Sequence, residues 1–413
     1  MRNSTALALS LVAAAALQAQ TDPGPRHGPP RSGAPLRGLS ADEMQAFTQG
    51  RDVFLEIDDV QDGLGPRFNL DSCAGCHQQP APGGSSGPVN PQPRVALKFG
   101  ATNQVPPFIQ PDGPVRVVRF RRDANGAPDG GVHDLWVIAG RSDAPAACKI
   151  TQPDFSNPNI LSFRIPTPTF GLGLIEAVAD STLRANLAAT AAQRRQMGIQ
   201  GRFNLSGNDG TITRFGWKAQ NKSLELFSGE AYNVEMGVTN EIFPQEREED
   251  SNCAGSGLPE NHGDVAQQAG FMRFLAPPGP PQTDDSTARG AVLFAQAGCA
   301  LCHTPSLVTG KAASAALSGQ TVNLYSDLAT HRMGQTLDDG ITQGNAQGQD
   351  WRTAPLWGLG DRIFLLHDGR TNDLLEAIRL HDSQGSEARQ VVANFQGLTA
   401  DQKQDVLNFL RSL

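Results

Sequence analysis

The sequence is poor in aromatic residues and has no long apolar segment beyond its N-terminus. Only 6% of its 413 residues are Phe, Trp or Tyr, and Tyr occurs twice. A bound macrocycle could fill part of the apolar core that so few aromatic side chains leave open. After the N-terminal segment no stretch approaches the ~18 consecutive apolar residues of a membrane span, so we expect no stable membrane insertion.

Positive charge is scarce as well. The chain has 34 Lys and Arg against 42 Asp and Glu, which gives a net charge of −8, and it has no basic cluster. Nucleic acid and anionic membranes are therefore poor candidates for partners. The length allows two or three domains and more than one sizeable core.

The N-terminal segment has the features of a secretory signal peptide. Arg2 gives it a positive start, and residues 6–17 are a short apolar run. Residues 17–19 are an acceptable cleavage site, with cleavage after Ala16 as the alternative. We predict a signal peptide over residues 1–19 and export to the periplasm, an oxidising compartment. An uncleaved anchor is the other reading of this segment.

Composition divides the rest of the chain. Residues 20–38 are rich in Pro, Gly and Arg and are expected to be disordered. Residues 276–285 form a Pro-rich linker, the clearest boundary in the sequence. The linker separates an N-terminal domain, 39–275, from a C-terminal domain, 286–413.

Local signals predict helices and strands. Capping boxes pair Ser40 with Glu43 and Thr399 with Gln402, and Ser286 is expected to cap a third helix. A strand-rich insertion is expected at about 95–210. Its strands are predicted in short runs of Val, Ile and Phe at 95–100, 115–120, 133–140 and 161–165.

An internal repeat links the two halves. Three segment pairs occur in the same order: Gly50-x-x-x-Phe54 with Gly290-x-x-x-Phe294, 167–173 with 353–360, and 217–224 with 367–374. Chance similarity of Gly-rich segments is one explanation. The order favours a duplicated domain whose first copy is enlarged.

Two C-x-x-C-H motifs carry the chemistry: Cys73-Ala-Gly-Cys76-His77 and Cys299-Ala-Leu-Cys302-His303. In such motifs the two thiols add to the two vinyl groups of a haem, and the following His supplies a nitrogen to the iron. A redox dithiol pair, a zinc site and ordinary disulfides are the alternatives. The motifs predict two covalently bound c-type haems.

The remaining cysteines and histidines are less informative. Cys148 and Cys253 are left over, and an oxidising compartment favours a disulfide between them over a reactive thiol. A second iron ligand for the C-terminal haem must come from a further side chain. The candidates are His331, Met333, His367 and His381.

Taken together, these residues resemble the bacterial di-haem cytochrome c peroxidase superfamily, and within it the di-haem thiol oxidoreductase-like peroxidase family. The resemblance runs from about residue 39 to the C-terminus. It implies a mainly α fold with two cytochrome c-like domains, the first enlarged by the strand-rich insertion. The matching segments are 63–73, 215–220, 240–245, 351–360 and 366–370.

The resemblance also implies roles for single residues. The C-terminal haem would take electrons from a small redox protein, and the N-terminal haem would react with hydrogen peroxide or another small oxidant. His381, fourteen residues after His367, matches the position of a second iron ligand. Trp217 matches the residue between the haems, and Glu235 matches the acid–base group of the active site. The superfamily often holds a calcium ion, whose ligands we could not place in this sequence.

Two departures from the superfamily pattern weaken the expectation of ordinary peroxidase activity. Residues 217–220 read Trp-Lys-Ala-Gln in place of Trp-Asp-Gly-Arg, and the Gln that accompanies the active-site Glu is missing. The repeat favours an enzyme nonetheless, because the residue matched to His381 in the first half is Ala231, which cannot bind iron. A non-catalytic di-haem electron carrier is the main alternative, and a second ligand to the first iron from His133 or His262 would favour it. A thiol oxidoreductase and an oxygenase are the others.

Covalent haem attachment gives the first testable prediction. Mass spectrometry of the denatured protein should show the mass of two added haems, because thioether bonds survive unfolding. Replacing Cys73 and Cys76 together by Ser should leave one haem, on the second motif. Four alkylatable thiols in the full-length holoprotein at positions 73, 76, 299 and 302 would refute the assignment.

Overall fold

The computed structural model describes residues 20–413 except 66, 102–104, 123–124, 128–137, 149–151 and 245–261. No helix within these residues is long and apolar enough to cross a membrane. The α-helices are α1 (Ala41–Leu55), α2 (Cys73–Cys76), α3 (Gln92–Lys98), α4 (Leu172–Glu176), α5 (Asp180–Ala189), α6 (Ala191–Gln196), α7 (Leu224–Ala231), α8 (His262–Phe274), α9 (Asp285–Ala297), α10 (Leu374–Leu380), α11 (Arg389–Gln396) and α12 (Ala400–Ser412).

The architecture is mixed rather than mainly helical. Among the described residues, helices make up 35% and strands with isolated bridges 10%, and long irregular segments connect them. The strands are β1 (Val117–Phe120), β2 (Leu161–Arg164), β3 (Leu307–Val308), β4 (Thr321–Val322), β5 (Thr330–Arg332) and β6 (Asp350–Arg352). They form three separate antiparallel pairs: β1 with β2, β3 with β4, and β5 with β6.

Two helix pairs form the most extensive helix contacts in the described part of the chain: α1 packs on α8, and α9 packs on α12. A glycine lies at each crossing. A Cβ atom added to Gly50 would lie 1.9 Å from the backbone oxygen of Gln267, and one added to Gly290 would lie 2.0 Å from that of Asp405. Only glycine allows backbones to approach this closely. The Gly-x-x-x-Phe repeat therefore marks the same crossing on both sides of residues 276–285.

The apolar cores do not divide at the predicted linker. One cluster lies wholly within residues 294–413 and includes Phe294, Val406 and Phe409. A larger cluster combines Phe54 and Phe271 with residues beyond the linker, among them Leu324 and Trp357. The boundary at 276–285 remains a prediction from composition, since packing continues across it.

The helix-capping predictions are confirmed at two of three positions. Capping boxes at Ser40 and Thr399 start α1 and α12 as predicted. At α9 the cap is Asp284, whose carboxylate accepts from the Thr287 amide, and not Ser286. Asp at this position also offers a charge to the helix N-terminus, and the Ser286 hydroxyl instead donates to Asp405.

The predicted strands are confirmed at 117–120 and 161–164, which pair as β1 and β2. The run at 95–100 lies instead partly in α3, where Pro93 occupies the first helical turn and favours a helix start. Residues 133–137 lie outside the described part of the chain. The later half of the expected insertion is helical, because α4, α5 and α6 follow β2 there.

The N-terminal arm, expected to be disordered, lies against the body of the protein over residues 20–38. Asp22 forms a buried ion pair with Arg411 at 2.7 Å. Backbone hydrogen bonds join the arm to residues around the linker: Leu36 N to Phe274 O, Ala276 N to Ala34 O, and Gly279 N to Arg31 O. These backbone hydrogen bonds and the ion pair hold the segment against the body of the protein despite its low hydrophobicity.

The glycine crossings predict a specific loss of stability. Gly50→Ala and Gly290→Ala should each lower the free energy of unfolding by about 1–3 kcal/mol or more, because the added methyl forces the helices apart. Gly270→Ala in α8 is the matched control, since its Cβ would meet nothing closer than 3.6 Å. Thermal or denaturant unfolding measures all three. Equal stability of the Gly50 and Gly270 variants would contradict the close crossing.

Candidate haem sites

The second motif opens into a mostly apolar cavity in the C-terminal region. The chain leaves α9 at Gly298, whose φ of 99° turns it into a 3₁₀ turn over 299–301. This turn brings Cys299, Cys302 and His303 to the wall of the cavity, where His381 also lies. The apolar lining includes Leu356, Leu359, Leu365, Val391, Val392 and Phe395.

Both histidines of this cavity are held in a coordinating tautomer. His303 Nδ1 donates to the Tyr325 carbonyl at 3.1 Å, and His381 Nδ1 donates to the Ala377 carbonyl at 2.7 Å. Burial lowers the pKa of His303 to about 4 and also lowers the pKa of His381. Each is therefore a neutral imidazole whose Nε2 lone pair can bind a metal.

The other candidate iron ligands differ in how far their side chains are already engaged with other residues. Both ring nitrogens of His331 are engaged, Nε2 with Asp327 at 3.0 Å and Nδ1 with Glu387 at 2.8 Å. The His367 ring stacks on Trp351, with centroids 3.8 Å apart. Met333 lines the cavity and remains the alternative to His381.

The first motif forms the wall of a second cavity. Ser72 caps the short helix α2 through the Gly75 amide, and His77 follows directly after the helix as its C-cap. His77 Nδ1 donates to the Gly84 carbonyl at 2.9 Å. Burial lowers its pKa to about 4, so this imidazole is neutral as well. The Phe54 ring lies 6.0 Å from it, as Phe294 lies 6.3 Å from His303.

The donor sets of both cavities fit c-type haem. Each cavity contains the two thiols and the histidine of one motif, and neither motif's cysteines form a disulfide. Counted with the open solvent at their mouths, the cavities comprise about 1570 and 1040 Å³. Burial raises the pKa of the Cys299 thiol to about 12, so this is not the environment of a reactive thiolate.

Glu235 lies in the cavity of the first motif. It belongs to a π-helical turn, Tyr232–Met236, that follows α7, and Ala231 at the end of α7 lines the same cavity. Burial raises the pKa of Glu235 to about 7, with Arg119 opposing the rise and Glu230 adding to it. A carboxyl group with this pKa can take up and release a proton near neutral pH.

The same cavity contains polar residues that the sequence reasoning missed. Glu230 accepts hydrogen bonds from Gln220 and Asn221, and Arg119 reaches the cavity from β1. Gln220, the last residue of the altered Trp-Lys-Ala-Gln segment, lines this cavity together with Glu235. Glu230 directly precedes Ala231, so the repeat could have indicated it; no local signal marked Arg119.

Trp217 lines both cavities. Its indole Nε1 donates to the Ile165 carbonyl at 2.9 Å, which fixes the ring in the shared wall. The rings of Trp351 and His367 each lie 6.5 Å from it at steep angles. This aromatic cluster brings together residues that lie more than 130 positions apart in the sequence.

Several predicted features lie partly outside the described residues. Cys148 is a disulfide cysteine, but Cys253, its predicted partner, falls in the segment 245–261 that is not described, so the pairing stays a prediction. His133 and the His262 side chain are likewise not described. The described residues contain no group of three or more His, Cys, Asp or Glu placed to hold a metal ion, and the calcium ligands stay unassigned.

The assignment of His381 predicts a spectroscopic change. His381→Ala should convert one low-spin ferric haem to high spin in the EPR spectrum, because His303 alone would then hold that iron. Met333→Leu is the matched control and should leave the spectrum unchanged. A spectral change in Met333→Leu, with none in His381→Ala, would identify Met333 as the ligand instead.

Comparisons with known proteins place the chain in a family. The family model described as "Di-haem oxidoreductase, putative peroxidase" matches residues 143–413. No curated protein matches. Among solved structures, hydrazine synthase of Kuenenia stuttgartiensis pressurised with xenon is 12% identical over 100% of both chains, with a TM-score of 0.40. A MauG-like protein associated with microbial copper homeostasis is 16% identical over 67% of this chain and 95% of its own, with a TM-score of 0.28. The diheme peroxidase BthA of Burkholderia thailandensis is 13% identical over 66% of this chain and 92% of its own, with a TM-score of 0.30. These likenesses are too low to support an argument. The family match covers the second haem motif, Trp217, Glu235 and His381, and by it the chain belongs to the di-haem oxidoreductase family of peroxidase-like proteins.

Proposed function

We propose that this protein is an exported, periplasmic di-haem c-type oxidoreductase with peroxidase-like activity. Cys73 and Cys76 hold one haem covalently, and Cys299 and Cys302 hold the other. His303 and His381 would hold the C-terminal haem, which would supply the site that takes electrons from a small redox protein. The observation that carries the proposal is the placement of Glu235 and Ala231 in one cavity with His77.

The two cavities differ in their candidate iron ligands, as an electron-transfer haem and a peroxide-reacting haem require. Two neutral imidazoles face the C-terminal cavity, and two nitrogen ligands suit an electron-transfer haem. In the N-terminal cavity, the repeat puts Ala231 in place of His381, and its methyl group leaves room for a small ligand. A haem bound at His77 would supply iron at which hydrogen peroxide is reduced.

Glu235 supplies the proton chemistry of the proposed reaction. As a carboxylate it accepts a proton from one peroxide oxygen, and as the acid it returns the proton to the other oxygen as the O–O bond breaks. A pKa of about 7 makes both forms accessible at neutral pH. Burial is the main cause of this raised pKa, Arg119 opposes the rise and Glu230 adds to it.

Trp217 is positioned to connect the two sites. It lines both cavities and its ring is fixed by the hydrogen bond to Ile165. We assign it the role of the residue through which the two haems communicate. The alternatives for electron transfer in the described wall are Ile165 and Pro166, which also line both cavities but have no aromatic ring.

A non-catalytic electron carrier remains the second candidate because of one observation. Met236 and Met272 also line the N-terminal cavity, and a thioether is a common second ligand of c-type haem. The EPR spectra of oxidised and half-reduced protein distinguish the two functions. A high-spin haem that binds cyanide supports the enzyme. Two low-spin haems in both states, without cyanide uptake, would establish the carrier.

The role of Glu235 predicts a selective loss. Glu235→Gln should keep both haems and cyanide binding but lower peroxide turnover about 10²–10⁴-fold, because an amide cannot shuttle the proton. Glu225→Gln, at an exposed position of α7, is the matched control. Turnover in the native protein should fall as pH drops below about 7, since the carboxylate form is then lost. Unchanged turnover in the Glu235 variant would remove Glu235 from the mechanism.

A further inference from the structure

Four arginines that no motif identifies line the two cavities. Arg119 and Arg164 line the N-terminal cavity, and Arg352 and Arg362 line the C-terminal one. Each has at least one buried guanidinium N–H without a hydrogen-bond partner in the described structure: Arg119 Nε and Nη1, Arg164 Nε, Arg352 Nη1 and Arg362 Nε. Buried donors are usually paired in proteins, so these N–H groups at the walls of two cavities are suited to an acceptor that lies in the cavity.

In the C-terminal cavity the two arginines have no acidic partner. Arg352 Nε donates to the Gly216 carbonyl at 2.9 Å, and Arg362 Nη2 donates to the Pro355 carbonyl at 2.8 Å. No ion pair joins either of them to a carboxylate of the described residues. Burial lowers the pKa of each to about 10, and Arg362 further lowers the pKa of Arg352 by repulsion. Two buried cations that repel each other are costly unless an anion lies between them.

The N-terminal cavity also has two arginines in its wall, and these come from the strands β1 and β2. β1 and β2 present Val117, Arg119 and Arg164 on one face, because Val117 pairs with Arg164 and Arg119 is two residues further along β1. Arg164 shares the Asp339 carboxylate with Lys218. Arg119 forms no ion pair in the described structure, and burial followed by repulsion from Arg164 lowers its pKa to about 10.

The four arginines come from different parts of the chain. Arg164 lies in β2, three residues before the repeat segment 167–173, and Arg352 lies in β6, directly before the matching segment 353–360. Arg119 belongs to β1, and Arg362 to the loop after the repeat segment. The two halves thus place two arginines on each cavity from positions that the repeat does not match. Two cations at each cavity suit a ligand with two anionic groups.

We propose that these residues are carboxylate-binding pairs, Arg119 with Arg164 and Arg352 with Arg362, and that each pair holds the two propionate carboxylates of one haem. The guanidinium group suits this ligand, because its planar N–H donors bind carboxylates in bidentate fashion. The apolar linings suit the macrocycle of a haem. The arginines mark the edge of each cavity at which the haem carboxylates would lie. The inference requires haem in both cavities but not peroxide chemistry, so it stands apart from the proposed activity.

Midpoint potentials of the holoprotein test the proposal. A cation beside a haem carboxylate favours the reduced, less positive iron. Arg352→Gln should therefore shift the midpoint potential of the C-terminal haem downwards, and Arg119→Gln should shift that of the N-terminal haem, each without a comparable change at the other haem. Arg352→Lys and Arg119→Lys keep the charge and should restore much of the potential. They are also the variants to measure if a Gln variant fails to retain haem.

The controls separate this role from others. Arg379→Gln, whose side chain is 60% exposed on α10, should leave both potentials unchanged. Unchanged potentials in both cavity variants would overturn the proposal. Loss of azide affinity in Arg119→Gln, with both potentials unchanged, would show that Arg119 binds an external anion and would overturn the N-terminal pair. Absence of peroxide turnover in the native protein, together with the predicted potential shifts in the arginine variants, would refute the proposed function and leave the arginine pairs intact.

Discussion

The close helix crossing at Gly50 and Gly290 is the constraint on which both sites depend. Each glycine lets one helix approach the backbone of another, and the Phe four residues later on the same helix lies beside the motif histidine. A side chain at the crossing would separate the helices and move Phe54 away from His77, or Phe294 away from His303. In both halves, the Gly-x-x-x-Phe segment therefore helps to position a buried imidazole. Because the segment occurs twice, there are two such imidazoles.

The two halves use this common device for different cavities. In the C-terminal half, α10 ends at His381, which faces the cavity as a second neutral imidazole. In the N-terminal half, α7 ends at Ala231 and continues into a π-helical turn that brings Glu235 to the cavity. π-Helical turns are frequent at functional sites because they reorient one or two side chains without ending the helix. The N-terminal cavity thus has the titratable carboxyl group of Glu235 where the C-terminal cavity has a potential metal ligand, His381.

The sequence predicted the features that depend on neighbouring residues. The capping boxes at Ser40 and Thr399 and the strands around 117–120 and 161–164 are such short-range signals, and the structure confirms them. It failed where the outcome depends on distant contacts. The arm at 20–38 has the composition of a disordered segment but is ordered by Arg411, almost 400 residues away. Likewise, Arg119 carries no local signal, since only the pairing of β1 with β2 brings it to the cavity.

Lys218 shows how a departure from a family pattern can be absorbed by the fold. It occupies the position where the superfamily has Asp, and its side chain is fully buried. Its ammonium donates to the carbonyls of residues 347, 348 and 350, pairs with Asp339 at 3.0 Å and lies 3.9 Å from the Trp351 ring.

Because Asp339 also binds Arg164, this one cation joins the wall of the N-terminal cavity to β6 and the aromatic cluster beside the C-terminal one. Lys218 is not among the described residues that line either cavity. The reversal of charge at this position therefore changes how the two halves are held together rather than the groups that face a ligand, and by itself it does not argue against peroxide chemistry.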